Sequence, residues 1–161
     1  MSTRDFYLEQ LKAEVPAFLR VIRALPAERA DYRPHPKSRS AAELAWFFAD
    51  STKSASTLVE KHRVEFKDPK VEGTPTAAAD ALERAQQDLL KRLARVDDKA
   101  WEQEAQFLMD GKVAWKAPLG AMLWSLLLDS IHHRGQLSAY IRPMGGKVPS
   151  IYGPSGDDAG N

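Results

Sequence analysis

The sequence predicts an all-α protein, a four-helix bundle with long connections, and three features carry that prediction. Apolar residues recur at intervals of three and four in four separate stretches. A capping box and a Thr-Pro pair mark two helix starts, and proline-rich or polar segments separate the stretches. A chain of 161 residues fits a single domain over 1–161 and can bury a core that needs no covalent staple.

In the first stretch, Asp5 to Leu25, the residues Leu8, Leu11, Val15, Phe18, Leu19 and Ile22 line one helical face. Pro16 removes the amide that would bond the Lys12 carbonyl, so a kink is expected there, or else two short helices. Leu25-Pro26 through Pro34-His35-Pro36-Lys37 holds too many prolines to remain helical and reads as an extended connection. Ser40-Ala41-Ala42-Glu43 then has the form of a capping box. The second helix begins there, with Leu44, Phe47, Phe48, Ser51, Ala55, Leu58 and Val59 facing inward, and fades near His62.

Thr74-Pro75 opens a third helix, in which Ala78, Leu82, Ala85, Leu89, Leu93 and Val96 keep helical spacing and Asp88 stands four residues before Arg92. Between Asp97 and Ala117 the periodicity changes. Phe107-Leu108-Met109 and Val113-Ala114-Trp115 flank Asp110-Gly111, which suits a tight hairpin turn; a plain loop with Trp101 and Trp115 covering the core is the alternative. Pro118 opens the fourth helix, which should end at Arg142 because Pro143 disfavours helical geometry in the residue before it. Its apolar residues lie almost all round, which predicts deep burial with part of the surface given to another subunit. Gly120 and Gly135 inside it suggest close backbone approach. The Gly- and Pro-rich tail from Gly145 is non-helical, with Val148, Ile151 and Tyr152 placed to tie it over the bundle.

Composition narrows the function. With no cysteine in the chain, disulfides, thiolate metal sites and a cysteine nucleophile are excluded. The first twenty residues carry charges throughout, unlike a signal peptide, and a cytoplasmic location is expected. The longest apolar run, Leu119 to Leu128, is far short of the roughly 20 residues of a membrane span. A net charge of +1 from 23 basic and 22 acidic residues, with no block of either sign, argues against nucleic-acid binding. No Gly-rich phosphate loop, nucleophile elbow or zinc-protease motif is present.

The chemistry concentrates in Asp129-Ser130-Ile131-His132-His133-Arg134-Gly135-Gln136. Asp129 and His133, four apart, share one helical face, close enough for a proton, an ion pair or a metal. A buried carboxylate–imidazole bond that only joins helices is the equal alternative. A metal would need a third donor from the second helix, where the inward residues are Phe47, Phe48 and Ser51; Asp50 and Glu60 would have to swing in from outward positions. His132 points about 100° from His133 and suits a hydrogen bond to a loop or the tail. Arg134 and Gln136 suit holding the tail or an anionic substrate. His35 and His62 read as surface residues.

Asp31 to Ser38, the helix start from Ser40 to Ala49, His132-His133-Arg134-Gly135-Gln136-Leu137, and Tyr140 to Gly153 together resemble the DinB-like (damage-inducible) superfamily, in order and spacing along nearly the whole chain. The resemblance implies a four-helix bundle, commonly a homodimer, with a divalent metal such as zinc or nickel held by three histidines. It also implies kinship with thiol-dependent transferases that use the metal to activate a small thiol. Carried over by residue, the family's fourth-helix pair falls on Asp129 and His133 and its second-helix histidine on Phe47. Only His133 matches. Two readings follow: a metal-dependent transferase acting on a small thiol or electrophile, with any metal at Asp129 and His133, or a metal-free binding or stress-response module.

Overall fold

The computed structural model describes residues 2–160. Five α-helices and three strands follow in the order α1 (Thr3–Arg23), α2 (Ala41–Lys61), β1 (Arg63–Glu65), α3 (Pro75–Leu93), α4 (Asp98–Trp101), β2 (Glu104–Met109), β3 (Lys112–Pro118) and α5 (Leu119–Ile141), with a short 3-10 turn over Ala27–Arg29. The four long helices are the four that the periodicity predicts. The fold is therefore mostly helical but not purely all-α, because a small sheet and a one-turn helix stand between α2 and α5.

Local chemistry sets the helix starts. Ser40 Oγ accepts from the Glu43 amide at 3.2 Å and the Glu43 carboxylate accepts from the Ser40 amide at 2.6 Å, so the capping box forms as expected. A second box, Ser2 with Asp5, starts α1 at Thr3, two residues before the stretch that the periodicity marks. Thr74 caps α3 through the Ala77 amide at 3.2 Å, and Arg92 reaches back to Asp88 at 2.7 Å. Helix α1 continues through Pro16 as one element.

The hairpin forms, with Asp110 at φ 50° and Gly111 at φ 73°, the two positive angles such a turn requires. Strand β1 was not expected. It pairs parallel to β2, Val64 opposite Phe107, while β3 pairs antiparallel on the other side. Three residues are too few to show alternation. His62 makes the strand: at φ 51° it terminates α2 in the left-handed region, and its carbonyl accepts from the Gln106 amide at 2.9 Å. The position read as a frayed surface residue is thus a structural hinge between helix and sheet.

The sheet buries Val64, Ala105 and Leu108 against the helices, but β3 lies on its exposed side and Trp115 is solvent-facing rather than a core cover. Trp101 is the buried indole. It packs on Tyr7 with 5.4 Å between ring centroids and donates to Thr3 Oγ1 at 3.1 Å. Gly120 lies directly against this indole, whereas a side chain at Gly135 would meet nothing within 4 Å, so close approach explains the first glycine and not the second. Helix α5 keeps an uncharged exposed strip at Ala121, Ser125 and Leu128. No helix among the described residues is long and apolar enough to cross a membrane.

The tail closes back on the helices. Gly145 at φ 89° turns the chain after α5, and the Gly146 amide donates to the Ile141 carbonyl at 2.9 Å. Asp157 accepts from the Val148 amide at 3.0 Å and from Arg142 Nε at 2.9 Å, and Arg20 Nε donates to the Ser150 carbonyl at 3.1 Å.

Candidate functional site

Asp129 and His133 sit one turn apart on α5, and His133 faces α2. His133 Nε2 is 3.6 Å from Asp129 Oδ1, with the imidazole side chain 19% and the carboxylate 52% exposed. That separation is too long for a hydrogen bond. The other ring nitrogen is engaged: His133 Nδ1 lies 2.7 Å from Gln136 Oε1, and Gln136 Nε2 lies 2.9 Å from His132 Nε2. A carbonyl oxygen only accepts and an amide nitrogen only donates, so with the amide in this orientation His133 Nδ1 donates to Gln136 and Nε2 is the ring nitrogen turned toward Asp129. His132, expected to bond a loop or the tail, instead joins His133 through Gln136.

Across from His133 stands Phe47, 8% exposed. Its ring meets the imidazole edge-on, 4.5 Å between centroids at 70°, and the Arg39 guanidinium covers it at 5.4 Å. Asp50 does not turn toward His133: its carboxylate takes Lys53 Nζ at 3.0 Å and the Lys70 amide at 3.2 Å. Glu60 pairs with Arg92 at 2.7 Å, and Ser51 contacts Ser130 at 3.2 Å. Among the described residues no three of His, Asp and Glu gather closely enough to share an ion. The donor set at this position, one imidazole nitrogen and one carboxylate facing an aromatic ring, falls short of the three protein ligands a zinc or nickel centre ordinarily takes.

Phe47 and Asp129, though not His133, border a groove of about 640 Å³ between α2, the segment after β1, β2 and α5. Phe47, Val64, Phe66, Phe107, Met109 and Leu126 supply an apolar lining, and Asp50, Glu65, Asp68 and Asp129 with Lys53, Lys67 and Lys70 supply charges of both signs. Its size falls within the range of small-molecule clefts in general.

A model of the DinB family matches residues 1–159. The chain belongs to the DinB family. Among curated proteins, this DinB chain is 23% identical over 161 residues to the uncharacterised protein YrdA of Bacillus subtilis (strain 168), covering 97% of this chain and 92% of that one. Among solved structures, a DinB-like protein from Bacillus cereus ATCC 10987 superposes with a TM-score of 0.73 at 22% identity, over 91% of this chain and 95% of its own. The DinB-like protein YjoA of Bacillus subtilis gives 0.66 at 17% identity, over 86% and 91%. Likeness at these identities establishes the shared fold.

The DinB chain carries a second polar cluster that sequence reasoning only half found. Arg134, 2% exposed, faces α1 where His133 faces α2, and pairs with the Glu14 carboxylate of α1. Tyr152 of the tail joins both, its hydroxyl accepting from Arg134 Nη2 at 2.5 Å and lying 2.8 and 2.9 Å from the Glu14 oxygens. The guanidinium also stacks between the rings of Phe18 and Tyr152, at 4.9 and 4.8 Å. Arg134 therefore holds the tail, as one of its two expected roles. Glu14 was overlooked although the signal was present: Tyr7, Leu11, Glu14 and Phe18 follow at four, three and four, which puts a carboxylate on the buried stripe of α1.

Proposed function

We propose that this DinB-family protein is a metal-independent binding module whose groove between α2, β2 and α5 accepts small molecules with an apolar body. Phe47 carries the reading. Where a third metal donor would have to approach His133 from α2, an aromatic edge is packed against the imidazole, and that same ring continues as apolar groove wall. Aromatic and thioether side chains around a cleft favour apolar ligands by area and by ring contacts. A neutral apolar fluorophore such as N-phenyl-1-naphthylamine should bind saturably at one site per chain. Met109→Glu, an exposed change on the groove wall, should weaken that binding tenfold or more. Non-saturable binding, or binding indifferent to Met109→Glu, would overturn the proposal.

The second reading, a metal-dependent transferase acting on a small thiol or electrophile, draws support from His133 Nε2 standing 3.6 Å from Asp129 Oδ1, with Asp129 on the groove wall. With two donors present, no step is derived through an ion. For a partner, a second copy of the chain suits the uncharged face made by Phe6 on α1 with Trp124, Ser125 and Leu128 on α5, where the Phe6 and Trp124 rings lie 5.6 Å apart. Light scattering should read a dimer, and Leu128→Glu should reduce it to a monomer; a wild-type monomer at high micromolar concentration would remove that partner.

A further inference from the structure

Behind the groove, in the core between the four long helices, lies a cavity of about 30 Å³. Gln86 of α3 lines it, only 6% exposed, and neither its amide nitrogen nor its amide oxygen has a hydrogen-bond partner. A buried amide left in that state is costly, and native interiors satisfy such groups with protein or with ordered water. Ser51, Thr52 and Ser130 line the same cavity.

Their hydroxyl protons are already committed. Ser130 Oγ donates to the Leu126 carbonyl at 2.9 Å, so the 3.2 Å contact between the two serines must be donated by Ser51. Thr52 Oγ1 donates to the Phe48 carbonyl at 2.8 Å. The hydroxyls therefore present lone pairs to the cavity, and Gln86 presents one amide donor group and one acceptor. An occupant must both donate and accept. No carboxylate, lysine or arginine borders the space, so an ion of either sign would be buried without a counter-charge. Size narrows the choice further, since a single water requires roughly 10–15 Å³ on the same measure.

We infer that this cavity is an internal binding site for one or two water molecules, which join the Gln86 amide of α3 to the hydroxyls of Ser51 and Ser130 on α2 and α5. Ser51 and Leu126 border the cavity and the groove alike, so these two side chains form the wall through which the water exchanges. The site stands whether or not the groove binds a ligand.

Crystals of the wild-type protein, with and without xenon pressure, test the inference. Expected is water density within about 3 Å of the Gln86 amide and no xenon in the cavity. In Gln86→Met, which keeps the length of the side chain and removes both polar atoms, the water should be lost and xenon should enter. A wild-type cavity that is empty or takes xenon overturns the inference. So does a Gln86→Met protein that melts higher than wild type by more than about 4 °C, a shift on the scale of 1 kcal/mol for a chain of this size, because it would mean that the amide had no partner to lose. The wild-type measurement decides the matter even if the variant folds poorly.

Discussion

Replacing Arg134 with alanine is expected to cost about 3–5 kcal/mol of folding stability, read from the shift of the denaturant midpoint. The guanidinium is buried between Phe18 and Tyr152 and neutralises Glu14, itself on the buried stripe of α1. Truncation leaves a carboxylate in the interior without its counter-charge, and that penalty exceeds the net worth of the pair. The paired change Glu14→Leu with Arg134→Met removes both charges at similar volume and should recover most of the loss, so the two substitutions will be far from additive. The Tyr152 phenol adds a pH signature. Desolvation first, and then the Glu14 carboxylate beside it, raise its pKa above the ordinary 10.0. A folded value above the unfolded one means that the stabilisation is whole below pH 10 and declines as pH climbs toward the folded value. Burial raises the Tyr7 phenol as well, so the tail's share is the part of the alkaline loss that Tyr152→Phe removes.

Gly120→Ala should be nearly as damaging, although alanine is the better helix former by roughly 1 kcal/mol. An added Cβ would stand 2.2 Å from Trp101 Cε2 and 2.3 Å from its Nε1. The indole cannot yield cheaply, being wedged against Tyr7 and hydrogen-bonded to Thr3. A loss at or above the upper end of the roughly 1–3 kcal/mol typical of overpacking is expected, and trimming the ring with Trp101→Leu should make Gly120→Ala nearly harmless in that background. The same exchange at Gly135, where nothing lies within 4 Å, supplies the contrast: it should leave stability unchanged or raise it by up to about 1 kcal/mol.

These two sites also mark how far sequence reasoning reaches. Helices with one apolar stripe and a cap, such as α2 from Ser40 and α3 from Thr74, were legible because their period and their end chemistry agree. The Asp110-Gly111 hairpin was legible for the same reason, its turn type demanding those residues. Strand β1 was not, because its existence rests on the backbone of His62 and on a partner 43 residues away, neither of which leaves a local pattern. At the candidate site, the spacing of Asp129 and His133 placed both on one flank of α5, and Phe47 was correctly set across from His133. The roles of Gln136 and Asp50 were hidden, since hydrogen bonds among side chains and loop amides depend on orientation that periodicity does not encode. Glu14 was visible as a charge on an apolar stripe, and only its partner, supplied by α5 and the tail, lay beyond local reasoning.

Titrating tag-free protein with zinc and with nickel by calorimetry tests the account most directly, with Phe47→His alongside. The arrangement of Phe47 against His133 predicts no stoichiometric binding by the wild type and a melting temperature indifferent to chelators. Phe47→His, which places a third donor opposite Asp129 and His133, should acquire about one equivalent of metal. Tight binding of one equivalent by the wild type, abolished by His133→Ala, would contradict the account.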